Sequence, residues 1–92
     1  MSKKSIDIIA KEKLYNILAK IDDPIMIKIF LSDMLSSSEI KDIARRLLAA
    51  DYLFRGKTYE KVNYDLGMGM ATINKVNFKT KGSRLLKKLL MY

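Results

Sequence analysis

Ninety-two residues suffice for one domain, and a chain of that size buries only about 60–65% of its unfolded surface, so its core stays small unless a partner adds to it. Hydrophobic residues make up 49% of the chain and charged residues 30%, with a net charge of +8, a balance too apolar for disorder and too charged for a membrane span. Cysteine and histidine are both absent, which excludes disulfides, zinc fingers, thiolate chemistry and imidazole bases and leaves no metal site or cofactor to expect.

The punctuation of the chain predicts an all-α protein of about six helices in a single domain, 1–92. From Ser5 the residues Ile6, Ile9, Leu14, Ile17, Leu18 and Ile21 recur at three- and four-residue spacing, which places them on one helix face. Lys3 and Lys4 precede Asp7, where a signal peptide would continue apolar, so the expectation is a cytoplasmic protein. Asp22-Asp23-Pro24 restarts the chain, because Asp23 can cap free amides and Pro24 suits the first helical position. The second helix, Pro24 to Met34, is apolar nearly all round, with Ile25, Met26, Ile27, Ile29, Phe30, Leu31 and Met34. Lys28 interrupts its apolar run, which falls far short of the roughly 20 residues that a bilayer crossing needs. Membrane contact is not expected.

Ser36 and Glu39 form a capping box, with Leu35 and Ile40 placed for a hydrophobic staple. The third and longest helix follows through Ile43, Ala44, Leu47, Leu48, Tyr52, Leu53 and Phe54, and Gly56 can end it in the left-handed conformation. Helices two and three offer more apolar surface than one small chain can cover, so a homodimer with exchanged or interleaved helices is expected.

Thr58 can cap a fourth helix, Tyr59 to Leu66, which Gly67 closes. With Gly67 as the turn, the positions that hold a helix-turn-helix together fall on Val62, Leu66, Met68, Ile73 and Val76, all apolar. Gly69 can start the next helix, which carries Met70, Ala71, Thr72, Asn74, Lys75, Asn77 and Lys79 on or near its outer face. Asn63 stands where many such motifs have alanine. A plain helical corner would show the same spacing, but the charge separates the two readings. Residues 1–54 hold nine Lys or Arg against eight acids, whereas residues 55–92 hold nine against only Glu60 and Asp65. A uniformly solvated lysine surface would not concentrate its excess in the segment that carries the motif. Ser83 to Tyr92 then has the spacing of a short amphipathic helix, with Leu85, Leu86, Leu89 and Leu90 on its apolar face and lysines opposite.

Leu66-Gly67-Met68-Gly69-Met70-Ala71-Thr72-Ile73-Asn74-Lys75 resembles the Trp repressor superfamily, whose reading helix carries a Gly-x-x-x-Ala-Thr-Ile signature. Gly56-Lys57-Thr58-Tyr59-Glu60, Val76-Asn77, Phe30-Leu31-Ser32-Asp33, Ser38-Glu39-Ile40 and Ala44-Arg45-Arg46-Leu47 look closer to its YerC/YecD-like branch. The resemblance spans roughly Phe30 to Asn77. It implies an interleaved dimer in which residues 1–56 and 83–92 form a shared core and residues 58–79 project as the helix-turn-helix.

It also implies base-reading positions at Met70, Ala71, Thr72, Asn74 and Lys75, the residues that the motif geometry selects. Ala71 and the Thr72 methyl suit thymine methyls, and Asn74 suits an adenine edge. Lys57, Thr58, Lys61, Asn77, Lys79 and Lys81 are read as phosphate contacts. The co-repressor pocket of the family maps onto Ser36, Arg46, Lys75, Val76 and Lys79. There Val76 replaces a glycine and fills the space, and Lys79 brings like charge towards an ammonium group, so tryptophan is not the expected ligand; whether another small co-repressor binds stays open. Arg45 and Arg46 have a plainer reading as an exposed helix face or as a dimer ion pair with Asp42 or Asp51.

The expected function is therefore a sequence-specific DNA-binding transcriptional regulator, a repressor, acting as a homodimer on a palindromic site in double-stranded DNA. The competing readings are an RNA-binding or architectural protein without sequence choice, and an interaction module that has lost DNA binding. The first has few aromatics to stack bases, only Tyr59, Tyr64 and Phe78 in the basic region. Catalysis is not expected: Asp22-Asp23 and Asp7-Glu12 have no nucleophile or base around them.

Overall fold

Helix ends in this chain fall where side chains or glycines can satisfy the terminal backbone groups. A computed structural model describes residues 3–91, with side chains from Ser5 onward. It contains six α-helices: α1 (Lys3–Leu18), α2 (Pro24–Met34), α3 (Ser37–Phe54), α4 (Tyr59–Leu66), α5 (Met70–Thr80) and α6 (Arg84–Met91). No strand occurs among the described residues, so the fold is all-α as expected. The side chains of Lys3 and Lys4, and Tyr92, assigned by sequence to the last helix, lie outside the described residues. No described helix is long and apolar enough to cross a membrane.

The chain divides into two compact units, Met1–Ser36 and Ser37–Tyr92. In the first, α1 stops at Leu18, three residues before Ile21, which the apolar spacing had included. The Lys20 and Ile21 amides donate to Ile17 and Leu18 at 3.1 Å each, three residues back rather than four. That tighter turn ends the helix ahead of Pro24, which disfavours helical backbone in the residue before it. Asp23 then caps α2, its Oδ1 accepting from the Ile25 amide at 2.9 Å, and Pro24 takes the first turn. None of the residues of α2 is buried. Ile17, Ile21, Met26, Ile29 and Phe30 border an apolar groove of about 330 Å³.

In the second unit α3 packs against α4, α5 and α6, and α4 against α5. The sequence groups α3 with α1 and α2; the structure gives it a second task, as the floor of the helix-turn-helix. Its Ala49 and Ala50 are buried together with Val62, Met68, Ile73 and Val76, and Tyr52, Leu53, Phe54, Tyr59, Leu66, Leu86 and Leu90 pack around them. Small residues at the crossing allow helices to approach closely, which is why two alanines can sit beneath Val62 and Ile73. Helix α3 ends at Gly56, whose φ of +79° is a conformation that glycine adopts without steric cost.

Asp51 is committed within this unit. It accepts from Arg55 Nε at 2.9 Å, a local pair one helical turn on within α3. Arg55 also donates to the Leu90 carbonyl at 3.3 Å, fastening the end of α3 to α6. Ser83 caps α6 by accepting from the Leu86 amide at 3.1 Å. Leu86 and Leu90 then face the core, whereas Leu85 and Leu89 remain 68% and 67% exposed.

Ile73 is fully buried, and removing its side chain leaves a cavity with little freedom to collapse. Ile73→Ala should lower the unfolding free energy by about 2–5 kcal/mol, read from urea denaturation. Tyr64→Ala, at an exposed position, should change it by no more than about 0.5 kcal/mol.

Candidate nucleic-acid interface

The pair α4–α5 is built around a three-residue turn. Thr58 caps α4, its hydroxyl oxygen accepting from the Lys61 amide at 3.1 Å. Gly67 closes the helix at φ +62° and donates to the Asn63 carbonyl at 2.9 Å. Gly67 is required for its backbone angle, since an added Cβ would meet only the Arg45 guanidinium at an ordinary 3.4 Å. Asn63, the departure from the usual alanine, acts as a clamp: its Nδ2 donates to the Met68 carbonyl at 2.7 Å, across the turn. Gly69 begins α5 with no side-chain cap and open space where a side chain would stand, so a large partner can approach the backbone there.

A second set of bonds ties α4 to its neighbours. Tyr52 on α3 donates to Asp65 Oδ2 at 2.9 Å, and Lys61 pairs with the same oxygen at 3.3 Å. The hydrogen bond to Asp65, above all, pushes the Tyr52 phenol above its ordinary pKa, because ionisation would place two negative charges together. On the other side, the Tyr59 hydroxyl donates to Asn74 Oδ1 at 3.2 Å. The Asn74 amide is thus held from α4, with two N–H groups and one carbonyl lone pair left for a partner.

The buried Ile73 and Val76 define the inward side of α5. At about 100° per residue, Ala71 and Phe78 lie opposite, with Asn74 and Lys75 beside them; all four are exposed. Met70 and Lys79 lie on the flanks. Thr72 is exposed but turns towards α3, where it borders two surface pockets, and so stands less centrally than its place among the base-reading residues implies. Asn77 follows Ile73 by one turn and is half-buried, which takes it off the outer face. Lys57, Thr58, Lys61, Lys79 and Lys81 are exposed, although Lys61 already has Asp65 as a partner.

Phase counted from Ile73 puts Phe78 in the centre of this face, although the base-reading set expected from the sequence leaves it out. Phe78 is 76% exposed and Tyr64 87%, so the basic segment presents two aromatic rings to solvent.

Four of the expected effector residues come together. Arg46, Lys75, Val76 and Lys79 border one cavity of about 510 Å³, together with Ile43 and Leu47. Ser36 closes the other compact unit. Val76, expected to fill space that a glycine would leave, lines this cavity, its side chain 6% exposed and packed in the core with Ala49 and Ala50. The charged residues on the lining are all cations, Arg46, Lys75 and Lys79.

A family model described as Trp repressor protein matches residues 10–89. The chain is also similar to the uncharacterized protein YerC of Bacillus subtilis (strain 168), at 32% identity over 65 residues that cover 71% of this chain and 62% of that protein. The chain therefore spans less than two thirds of the curated relative that it matches. No solved structure matches. With a helix-turn-helix on α4 and α5 and a match that runs from α1 into α6, the chain belongs to the Trp repressor family, a regulatory family of DNA-binding transcription factors.

Proposed function

We propose that this chain is a sequence-specific DNA-binding repressor that works as a homodimer on a palindromic operator, each subunit laying α5 in a major groove. The observation that carries the reading is the outer face of α5: Ala71, Asn74 and Lys75 are presented together, while Lys57, Lys79 and Lys81 stand exposed around them. Small and amide side chains suit base edges, and ammonium groups on the flanks suit phosphates. Met70, at the amino end, completes the base-reading set with Thr72 at its margin. Thr58 retains a hydroxyl hydrogen for a phosphate while it caps α4. Such a regulator acts where the chromosome is, in the cytoplasm, and repression follows from occupying a promoter.

The dimer rests on apolar surface that one chain leaves uncovered. Ile25, Ile29 and Met34 on α2, and Leu85 and Leu89 on α6, are all more than half exposed. Exposed apolar area of that extent marks an interface, and residues 1–56 with 83–92 form the shared core in this reading. A two-fold dimer reads half-sites about 34 Å apart, one helical turn of DNA.

One observation favours a second reading, a binder of single-stranded nucleic acid without sequence choice: Tyr64 and Phe78 are exposed within the basic segment, where bases could stack on them.

Selection of bound sequences from a random duplex pool separates the two. A palindromic consensus is expected, relaxed at one position per half-site by Asn74→Ala and at another by Lys75→Ala. The logarithm of affinity should fall against log salt with a slope of about −7, for about eight phosphates neutralised by a dimer. No enrichment by the wild-type protein would overturn the proposal.

Tryptophan is not the ligand of the α3–α5 cavity in this reading, because three cations and no carboxylate border it, which repels an ammonium group. Titration calorimetry should show no stoichiometric binding of tryptophan in the micromolar range; a one-to-one isotherm there would refute this.

A further inference from the structure

A phenyl ring in the middle of a cationic reading face suits a polyanionic partner that offers apolar surface at that point. Phe78 lies seven residues after Ala71, which returns it to the same side of α5 within about 20°. It points away from Ile73 and Val76 and is 76% exposed, whereas Phe30 and Phe54 are partly buried. Lys75 and Lys79 flank it in sequence. Lys81, one turn on, holds its ammonium 5.7 Å from the ring centroid, close enough for the cation to rest over the ring face.

The surroundings call for a polyanion and the ring calls for something apolar. Duplex DNA supplies both in the major groove, where the apolar group on a base edge is the thymine 5-methyl. The rise from Ala71 to Phe78 is about 10 Å, so a helix lying along the groove sets the two side chains about three base pairs apart, within one half-site. We propose that Phe78 is a specificity-determining residue that reads a thymine methyl in each half-site, while Lys81 bridges from its ring to the neighbouring phosphate. This rests on the reading of α5 as the major-groove helix, and it extends the reading face one turn beyond Lys75.

The test uses the full chain and the duplex obtained by selection, with each consensus thymine replaced in turn by deoxyuridine, which removes only the methyl group. The wild type should lose affinity about three- to tenfold at one thymine per half-site, the loss expected for one methyl group taken from an apolar contact. Phe78→Ala should bind the thymine and uracil duplexes equally at that position and keep its discrimination elsewhere. Phe78→Leu should retain part of it. Because Phe78 is exposed, both variants should melt with the wild type, which separates lost contact from lost fold. A wild type that selects a consensus, with Phe78→Ala retaining every thymine preference, overturns the proposal and leaves the α5 reading standing. A Phe78→Ala variant weakened equally on every duplex, or only on single strands, overturns it as well. A wild type with no duplex preference removes the α5 reading and the proposal with it.

Discussion

Everything on the reading face depends on the close crossing of α3 with the α4–α5 pair. Ala49 and Ala50 are buried against Val62, Ile73 and Val76, and at that contact there is no room for larger side chains without prising the helices apart. The interior of a protein is packed to crystal-like density, so a methylene added there is felt as strain. The same contact fixes the rotation of α5 about its axis. With Ile73 and Val76 pinned inward, Ala71 and Phe78 must face outward, and no bond to those residues is needed to aim them.

Local chemistry then fixes the angle between α4 and α5. Gly67 supplies the left-handed turn, the Asn63 amide fastens it to the Met68 carbonyl at 2.7 Å, and the Tyr59 hydroxyl ties α4 to Asn74 at 3.2 Å. These bonds span a single turn and bring in residues only 5 and 15 positions apart. They order the motif cheaply in chain entropy, since short loops cost least to close.

How far the sequence carries is set by the range of the interaction concerned. Caps and turns are local, and so Asp23, Pro24, Thr58, Gly56 and Gly67 could all be placed from their neighbours alone. Helical phase is nearly as local, and it named Val62, Leu66, Met68, Ile73 and Val76 as the closing residues before any coordinates. What escaped depends on the use to which a residue is put, which its type does not reveal. Ile21 was lost to a tightened turn, and Asn63, marked as a departure from alanine, fastens the turn through the Met68 carbonyl. Asn77 was put outward by its polarity although its phase follows Ile73. In each case residue type suggested one environment and packing supplied another. Phe78 was named only as an aromatic able to stack on bases, whereas its phase on α5 sets it on the outer face.

The charge of the second half acquires its meaning from where its few acids go. Glu60 and Asp65 are the acids of residues 55–92. Asp65 accepts from Tyr52 and pairs with Lys61, while Asp51 of α3 holds Arg55. Those carboxylates are spent in locking α3 to α4 and in closing the end of α3, on the sides of the unit where structure needs them. The lysines of α5 and the turn after it, Lys75, Lys79 and Lys81, are left to set the field outside α5. A field from neighbouring like charges on one face adds rather than cancels, so a segment with a net charge of +7 acts on a polyanion as a directed surface. The bonds that hold α3 to α4 thus also occupy Asp65, while Lys75, Lys79 and Lys81 stay exposed on and after α5.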